Sequence, residues 1–398
     1  MLSSVVKKLK SEFEPMMEMI ISSLRSLDET DDIREQLGVH QESLAFLRDL
    51  LKNEYMIDCN SSIICMLDEV CEEMSAYAME NVQGQMGIVD AIERKLLCFS
   101  ERIDESVVIS DDRLAVVSIM KDEGAYLEEF ICYHLLVGVS HFYLYDNNSS
   151  DDTMDVLLPY IRAGKVTLLD CPGDCVQLPA YDDALKKYKY DTHYMAFIDV
   201  DEFIVPAEYG RKIPEVLDEI VMEHYDREIQ LYHFGGIAIN WVVYGTSGHK
   251  DKINGLVCEN YLYRSDKSAA CNHTVKLIVN PRVVDSFYRT PHTVKYISDE
   301  YMSISERGSY ILGKVPFFRD ASYCRLQINH YSSKSENEYY YKLCKKGWPD
   351  QEHKMVNCDD EGVLAKIREA NSTWNQVRDE KMLAYCDDIK SMIKEYKK

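Results

Sequence analysis

The pattern of apolar and polar positions changes once along this chain, near Arg113. Before that point apolar residues recur at helical spacing, as in Leu44, Leu47 and Leu51, or Ile63, Leu67, Val70, Cys71 and Met74. Proline occurs there once, at Pro15, and the stripe Met16, Met17 and Met19 suits a core better than a ligand surface. Residues 1–108 are therefore expected to form an all-α bundle, used for homo-oligomer formation or partner docking. After Arg113, Leu114–Ile119 is a continuous apolar run bounded by charge, the mark of a buried parallel strand. A helix follows over Ala125–Leu136, ended by Gly138. His141–Tyr145 predicts the next strand, and Asp151-Asp152-Thr153 opens a helix that ends near Arg162-Ala163-Gly164. Val166–Leu169 predicts a third strand, Tyr181–Tyr188 a helix and Tyr194–Ile198 a fourth strand. Strands alternating with helices in this way specify an α/β fold with a doubly wound sheet, which binds ligands beyond the carboxyl ends of its strands.

Past Ile204 the pattern loosens. Ile229–Phe234 and Ala238–Val243 predict two strands and Thr274–Val279 another, and the stretch from Ser335 onward is charged and helical. Three segments result: 1–108, 109–334, and 335–398, whose helices are expected to pack on the middle segment.

Charge narrows the partners. Lys and Arg number 45 against 68 Asp and Glu, a net −23, which argues against nucleic acid and against docking on anionic lipid. An anionic substrate then needs a metal or a few well-placed cations. No run approaches the roughly 18–20 apolar residues of a membrane span, and Lys7-Lys8 and Glu12 come too early for a signal peptide. The 13 cysteines are scattered, and Cys171 and Cys175 lack the second pair that a zinc site needs. Reduced thiols in a cytoplasmic protein are expected, with room for peripheral association at the inner face of a membrane.

Three of the expected strands end in polar residues on the side where this fold places a site: Lys121-Asp122-Glu123-Gly124, Asp146-Asn147-Asn148-Ser149, and Asp199-Val200-Asp201. Asp-x-Asp is common by chance in so acidic a chain, and its position is what gives it weight. It directly follows Tyr194–Ile198, so the strand delivers two carboxylates to one rim, where they could share Mn²⁺ or Mg²⁺; a solvated strand cap is the alternative. Asp146, Asn147 and Asn148 read equally as a helix-entry turn or as contacts to a ribose or base edge. Lys121 and Glu123 read as surface charges or as the wall of a nucleotide pocket. Tyr244–His249 ends a strand in a turn whose Gly245 and Gly248 permit close backbone approach. Asn329-His330-Tyr331 follows a short apolar stretch and precedes Lys334.

Taken in order, Met120–Glu123, Tyr133-His134, Tyr145–Ser149, Phe197–Phe203, Tyr244–His249 and Asn329–Tyr331 with Lys334-Ser335 resemble glycosyltransferase family 92 and its family 2-like bacterial relatives. The resemblance covers roughly residues 113–347 and leaves the N-terminal 108 residues outside. It implies a GT-A fold, a nucleoside-diphosphate sugar donor (UDP favoured), a glycan or glycoconjugate acceptor, and Mn²⁺ or Mg²⁺ as cofactor. It further implies Asp146 at the nucleoside, Asp199 and Asp201 at the metal and diphosphate, and His330 on the metal. Lys121, Glu123, Asn147, Asn148 and Lys334 join the candidate donor-binding set. Inversion at the anomeric carbon needs one general base; His249, Glu202 and Asp251 are the candidates. Asp122 stands where the family commonly has Asn, and Tyr244 and Thr246 where it has Phe and Ser. A non-catalytic nucleotide-binding scaffold acting through residues 1–108 is the alternative function. A phosphotransferase is disfavoured, because no Gly-rich loop ending in Gly-Lys-Ser/Thr is present.

Overall fold

The computed structural model describes residues 113–225, 231–312, 316–346 and 361–397, the helical stretches 15–23, 33–53, 67–72 and 74–75, and positions 92 and 96. The chain divides into two compact units, Met1–Ser110 and Asp111–Lys398. In the first, helix α1 (Ile33–Asn53) buries Leu44, Leu47 and Leu51, the i, i+3, i+7 stripe read from the sequence. Leu67, Val70, Cys71 and Met74 are also buried, whereas of the methionine stripe Met17 is buried and Met19 exposed. The expectation for Ile63 lies outside the described residues.

The second unit is built on a nine-stranded sheet. Strand β1 (Leu114–Met120) is followed by helix α2 (Gly124–Leu136), β2 (His141–Asp146), α3 (Thr153–Arg162), β3 (Val166–Asp170), α4 (Gln177–Tyr188) and β4 (Tyr194–Phe197). These four strands run parallel in the order β3-β2-β1-β4, so the α/β, doubly wound expectation is borne out. Every residue of β1 and β4 is buried, as expected of strands covered on both faces.

After a tight turn come β5 (Glu202–Pro206), α5 (Ile213–Tyr225), β6 (His233–Val243), β7 (Val275–Val279), β8 (Val284–Tyr288), β9 (Thr290–Tyr296), β10 (Tyr301–Ser305) and β11 (Leu326–His330). The sheet continues β4-β7-β6-β11-β5, and β10 lies parallel to β6. β7 is antiparallel to both β4 and β6, and β11 is antiparallel to β5. β8 and β9 form a separate antiparallel ribbon.

The two strands expected around 229–243 are corrected by the structure: β6 is a single 11-residue strand that runs through Gly235 and Gly236. The glycines suggest a break in the sequence, yet here they admit neighbours. A Cβ on Gly235 would stand 2.5 Å from the Tyr296 ring, and one on Gly236 2.9 Å from the Ile278 carbonyl oxygen. The C-terminal stretch holds α6 (Glu336–Tyr341), a π-helical turn over Lys342–Lys346, α7 (Glu361–Ser372) and α8 (Cys386–Tyr396). It is not helical throughout, since Val377-Arg378 pairs antiparallel with Tyr263-Arg264. Among the described residues no helix is long and apolar enough to cross a membrane.

Candidate active site

Strand register brings the polar strand ends onto one rim. Met120 of β1 is level with Asp146 of β2, and Asp146 with Asp170 of β3, while Val117 is level with Phe197, the last residue of β4. Beyond Phe197 the chain turns through Asp199-Val200-Asp201 and enters β5 at the far end of the sheet. β11 fills the place beside β5, pairing His330 with Glu202, and the Tyr331 N–H donates to the Asp201 carbonyl oxygen at 2.8 Å. His330 thereby reaches the acidic turn across 129 residues of sequence, with its Nε2 3.5 Å from Asp201 Oδ1.

The turn is a charge cluster. Lys276, the second residue of the fully buried β7, donates to Asp199 Oδ2 at 2.9 Å and lies 3.6 Å from Glu202 Oε2. Gln177 Nε2 donates to Asp199 Oδ1 at 3.0 Å, and the Asp199 N–H donates to Glu202 Oε2 at 2.8 Å. Asp201 Oδ2 accepts from Lys342 Nζ at 2.7 Å. Burial would raise the Asp201 carboxyl, but Lys342 and then His330 hold it well below the usual carboxylate range. Asp199 is held below its ordinary value too, by Lys276 against burial. Glu202 goes the other way: burial pushes it well above the usual carboxylate range, with Lys276 opposing and Asp199 and Asp201 adding.

Beside this cluster lies a cavity of about 750 Å³ lined by Glu123, Tyr126, Asp251, Lys334, Lys342 and Lys346, among others. Glu123 accepts from Lys334 at 3.4 Å and from Lys346. Burial alone would raise the Glu123 carboxyl; the two lysines bring it below its ordinary value. Lys334 Nζ also sits 4.1 Å above the Tyr126 ring, a cation–π contact. The Tyr126 hydroxyl donates to Glu338, whose carboxylate closes a capping box with Ser335 at the start of α6.

The other candidates separate by position. Asp146 accepts from the Ser149 N–H in a turn, and Asn147 is buried, donating to the Cys171 and Gly173 carbonyl oxygens at 2.7 and 2.8 Å. Asn148 is exposed with φ of 57°, in the left-handed region that Asn tolerates, and Lys121 is half-buried. Of the base candidates, Asp251 is exposed, lines the cavity and accepts from Asn337 Nδ2 at 2.6 Å. Glu202 is fully buried behind the turn. His249 Nε2 is engaged at 3.0 Å with the Asn260 carbonyl oxygen and does not line the cavity.

Oxygen and imidazole donors of this kind suit a hard divalent cation. His330 Nδ1 is buried without a hydrogen-bond partner, and Nε2 faces a carboxylate oxygen. Among the described residues no three His, Cys, Asp or Glu side chains stand together in metal-holding geometry, and both aspartates hold a lysine. Lys276, Lys342, Lys346 and Gln177 escaped the sequence reading. A lysine inside an apolar strand and two more past a Tyr-Tyr-Tyr run carry no local signal of a site; only the basic run Lys342 to Lys346 in an acidic chain hints at one.

Residues 117–307 match the family model described as glycosyltransferase family 92. A glycosyltransferase family 92 protein of Ricinus communis is 29% identical over 91 residues, which cover 23% of this chain and 16% of that protein. The galactan beta-1,4-galactosyltransferase GALS1 of Arabidopsis thaliana is 34% identical over 104 residues, covering 23% of this chain and 21% of its own. These matches thus span a small part of the relatives' own length. Among solved structures, TarS of S. aureus aligns over 71% of both chains at 11% identity, with a TM-score of 0.27. Glucosyl-3-phosphoglycerate synthase of Mycobacterium tuberculosis aligns over 52% of this chain and 73% of its own, at 16% identity and a TM-score of 0.24. At such scores the correspondence identifies neither ligand nor reaction. The parallel half-sheet ends in the Asp-Val-Asp turn and continues as mixed strands, and residues 117–307 of this chain are a glycosyltransferase family 92 domain.

Proposed function

We propose that the chain is a metal-dependent, inverting glycosyltransferase, moving a sugar from a nucleoside-diphosphate sugar, UDP-linked by preference, to a hydroxyl of a glycan or glycoconjugate in cell-surface polysaccharide synthesis. The observation that supports it most is the meeting of Asp201 and His330, far apart in sequence, beside a cavity lined with four lysines, Lys252, Lys334, Lys342 and Lys346. Relatives named as galactan beta-1,4-galactosyltransferases favour a hexosyl donor.

Asp199, Asp201 and His330 would hold Mn²⁺ or Mg²⁺, which when bound supplies positive charge to the leaving diphosphate. Lys334 and Glu123 line the cavity on which the donor rests, and Lys121, Asp146, Asn147 and Asn148, at the ends of β1 and β2, extend that rim. Asp251 takes the proton from the acceptor hydroxyl, being the one base candidate on the cavity. Glu202, fully buried, supports the turn by accepting the Asp199 N–H. Thermal stabilisation by UDP-, GDP- and dTDP-sugars, with and without Mn²⁺, tests the reading. One nucleotide class should stabilise the wild-type protein only with Mn²⁺ and leave Asp201→Ala unmoved. Equal responses of the two proteins would remove Asp201 from the site.

A further inference from the structure

Two thiols far apart in sequence face each other inside the domain. Cys258 lies on the short helix Val257–Asn260 and Cys386 opens α8, and their Sγ atoms stand 3.6 Å apart across 128 positions of sequence. Cys258 is fully buried, Cys386 is 6% exposed, and both are free thiols. Sulfurs joined in a disulfide lie roughly 2.0 Å apart, so the gap to be closed is about 1.5 Å. Rotation about the two side chains' own bonds covers that distance. Other thiols are placed differently: Cys132 meets the Tyr160 hydroxyl at 3.3 Å, and Cys324 is exposed with Arg307 at 3.1 Å.

The surroundings hold the two sulfurs together and prime one of them. Glu129 of α2 accepts the Val257 and Cys258 N–H groups at 2.5 and 2.9 Å, and Lys390 of α8 reaches Glu259 at 2.9 Å. The Cys386 thiol points at the Met382 carbonyl oxygen at 3.7 Å, in the 3₁₀ turn (Lys381–Tyr385) that leads into α8. The hydrogen bond between the thiols lowers Cys386 against burial and raises Cys258, with burial adding. The thiolate is the nucleophile in disulfide exchange, so Cys386, the less buried, attacks first and Cys258 resolves. The 3₁₀ turn exposes Leu383 and Ala384, and its local opening admits a small reagent to Cys386.

We propose that Cys258 and Cys386 form a reversible disulfide that clamps α8 to the Val257–Asn260 helix. The inference goes beyond the glycosyltransferase reading and does not depend on it. The oxidant is a small-molecule disulfide. The Cys386 thiol loses its proton and the thiolate attacks one sulfur of the reagent, breaking the reagent's S–S bond and releasing one thiolate. Cys258 then loses its proton and attacks Cys386 Sγ, which forms the protein disulfide and expels the second thiolate. The two protons end on the two released thiolates, and the two electrons lost by the cysteines reduce the reagent to two thiols. A bond that closes so long a loop restricts the unfolded chain, so the oxidised domain is the more stable one.

The test incubates the full chain in oxidised and in reduced glutathione, blocks the remaining thiols by alkylation, and maps the peptides by mass spectrometry without reduction. Two peptides joined through Cys258 and Cys386 should appear in oxidised glutathione and vanish in dithiothreitol. Oxidation should raise Tm by roughly 4–12 °C and slow amide hydrogen exchange at least about tenfold in both Val257–Asn260 and the first turn of α8. Cys386→Ala and Cys258→Ala should each lose the joined peptides and the rise in Tm, whereas Cys175→Ser, at an exposed thiol, should keep both. Should an alanine variant fail to fold, peptide mapping and hydrogen exchange on the wild-type chain decide alone. Joined peptides that never form, or that form only after denaturant has unfolded the chain, overturn the proposal. So does a joined pair with no change in Tm or exchange, or a rise in Tm that survives in Cys386→Ala.

Discussion

His134 should make the domain acid-sensitive well above the range in which carboxylates titrate. It lies on α2, fully buried, with the Phe130 ring 4.5 Å away and the Phe203 ring stacked at 5.6 Å. Its Nδ1 meets the Phe130 carbonyl oxygen at 2.8 Å, and its Nε2 accepts the Ile204 N–H at 3.3 Å. The bond to Ile204 ties α2 to β5 two residues past Glu202, and an imidazolium could not accept it. Burial accordingly lowers the His134 pKa from 6.5 to about 4, against the helping bond to Phe130. A depressed histidine contributes stability that is complete above the unfolded value and lost as pH falls from there through the folded value. The loss amounts to about 2 kcal/mol at pH 5 and roughly 3 kcal/mol below pH 4. His292, lowered to about 3 chiefly by burial, adds its own loss in the same window, so His134→Phe is the control that isolates one proton. Phenylalanine keeps the aromatic packing but leaves the Ile204 N–H unpaired, costing about 1–3 kcal/mol near pH 7.5. Thermal unfolding read by near-ultraviolet circular dichroism at several pH values between 7.5 and 5 gives the answer. The gap between wild type and variant should narrow on acidification by about 2 kcal/mol, or roughly 4–8 °C in Tm for a domain of this size. A gap that stays constant across the range refutes the reasoning.

Asp251→Asn should lower kcat by roughly 10²–10⁴ with donor binding unchanged, measured by turnover beside calorimetry, because it removes a proton acceptor and little bulk; an unchanged kcat clears Asp251 of that role. Gly245→Ala should destabilise by about 1–3 kcal/mol in thermal unfolding. Its Cβ would fall 2.3 Å from Asn375 Oδ1 and 2.5 Å from the Ala370 carbonyl oxygen, prising the C-terminal helices from the turn before His249. A variant as stable as wild type would show that this contact gives way freely. Arg264→Met should cost about 1–3 kcal/mol by the same assay, since its guanidinium, mostly buried, donates to Asp379 at 2.7 Å and to the Ser265 carbonyl oxygen at 2.8 Å; no change in Tm would make that ion pair a surface ornament.

The parallel half of the domain was legible because its strands are buried on both faces and read as unbroken apolar runs: Leu114–Met120 and Tyr194–Phe197 differ from their predicted spans by one residue at the C-terminal end. The antiparallel half was not. β8 and β9 carry Asp, Ser, Thr, His and Lys because the ribbon is partly exposed, and β5 is hidden directly behind an acidic turn. The glycine pair in β6 resembles a break although it serves close packing. At the site, Asp199, Asp201 and His330 could be named because their blocks stand in family order, and Asp201 and His330 do come together. Lys276 could not, since its partners Asp199 and Glu202 lie more than 70 positions away and a lone lysine in a strand usually points at solvent. Lys342 and Lys346 meet Asp201 and Glu123 across still longer separations, set by how α6 returns over the rim.

The most direct measurement is release of nucleoside diphosphate from a panel of UDP-, GDP- and dTDP-sugars by the wild-type chain and by Asp201→Asn, each with Mn²⁺ and with a chelator in excess. Wild type with Mn²⁺ should release diphosphate from one nucleotide class, a release abolished by the chelator and reduced at least about 10²-fold in the variant. Release that persists in the chelator or in Asp201→Asn, or none from any donor even when candidate glycan acceptors are added, would contradict it.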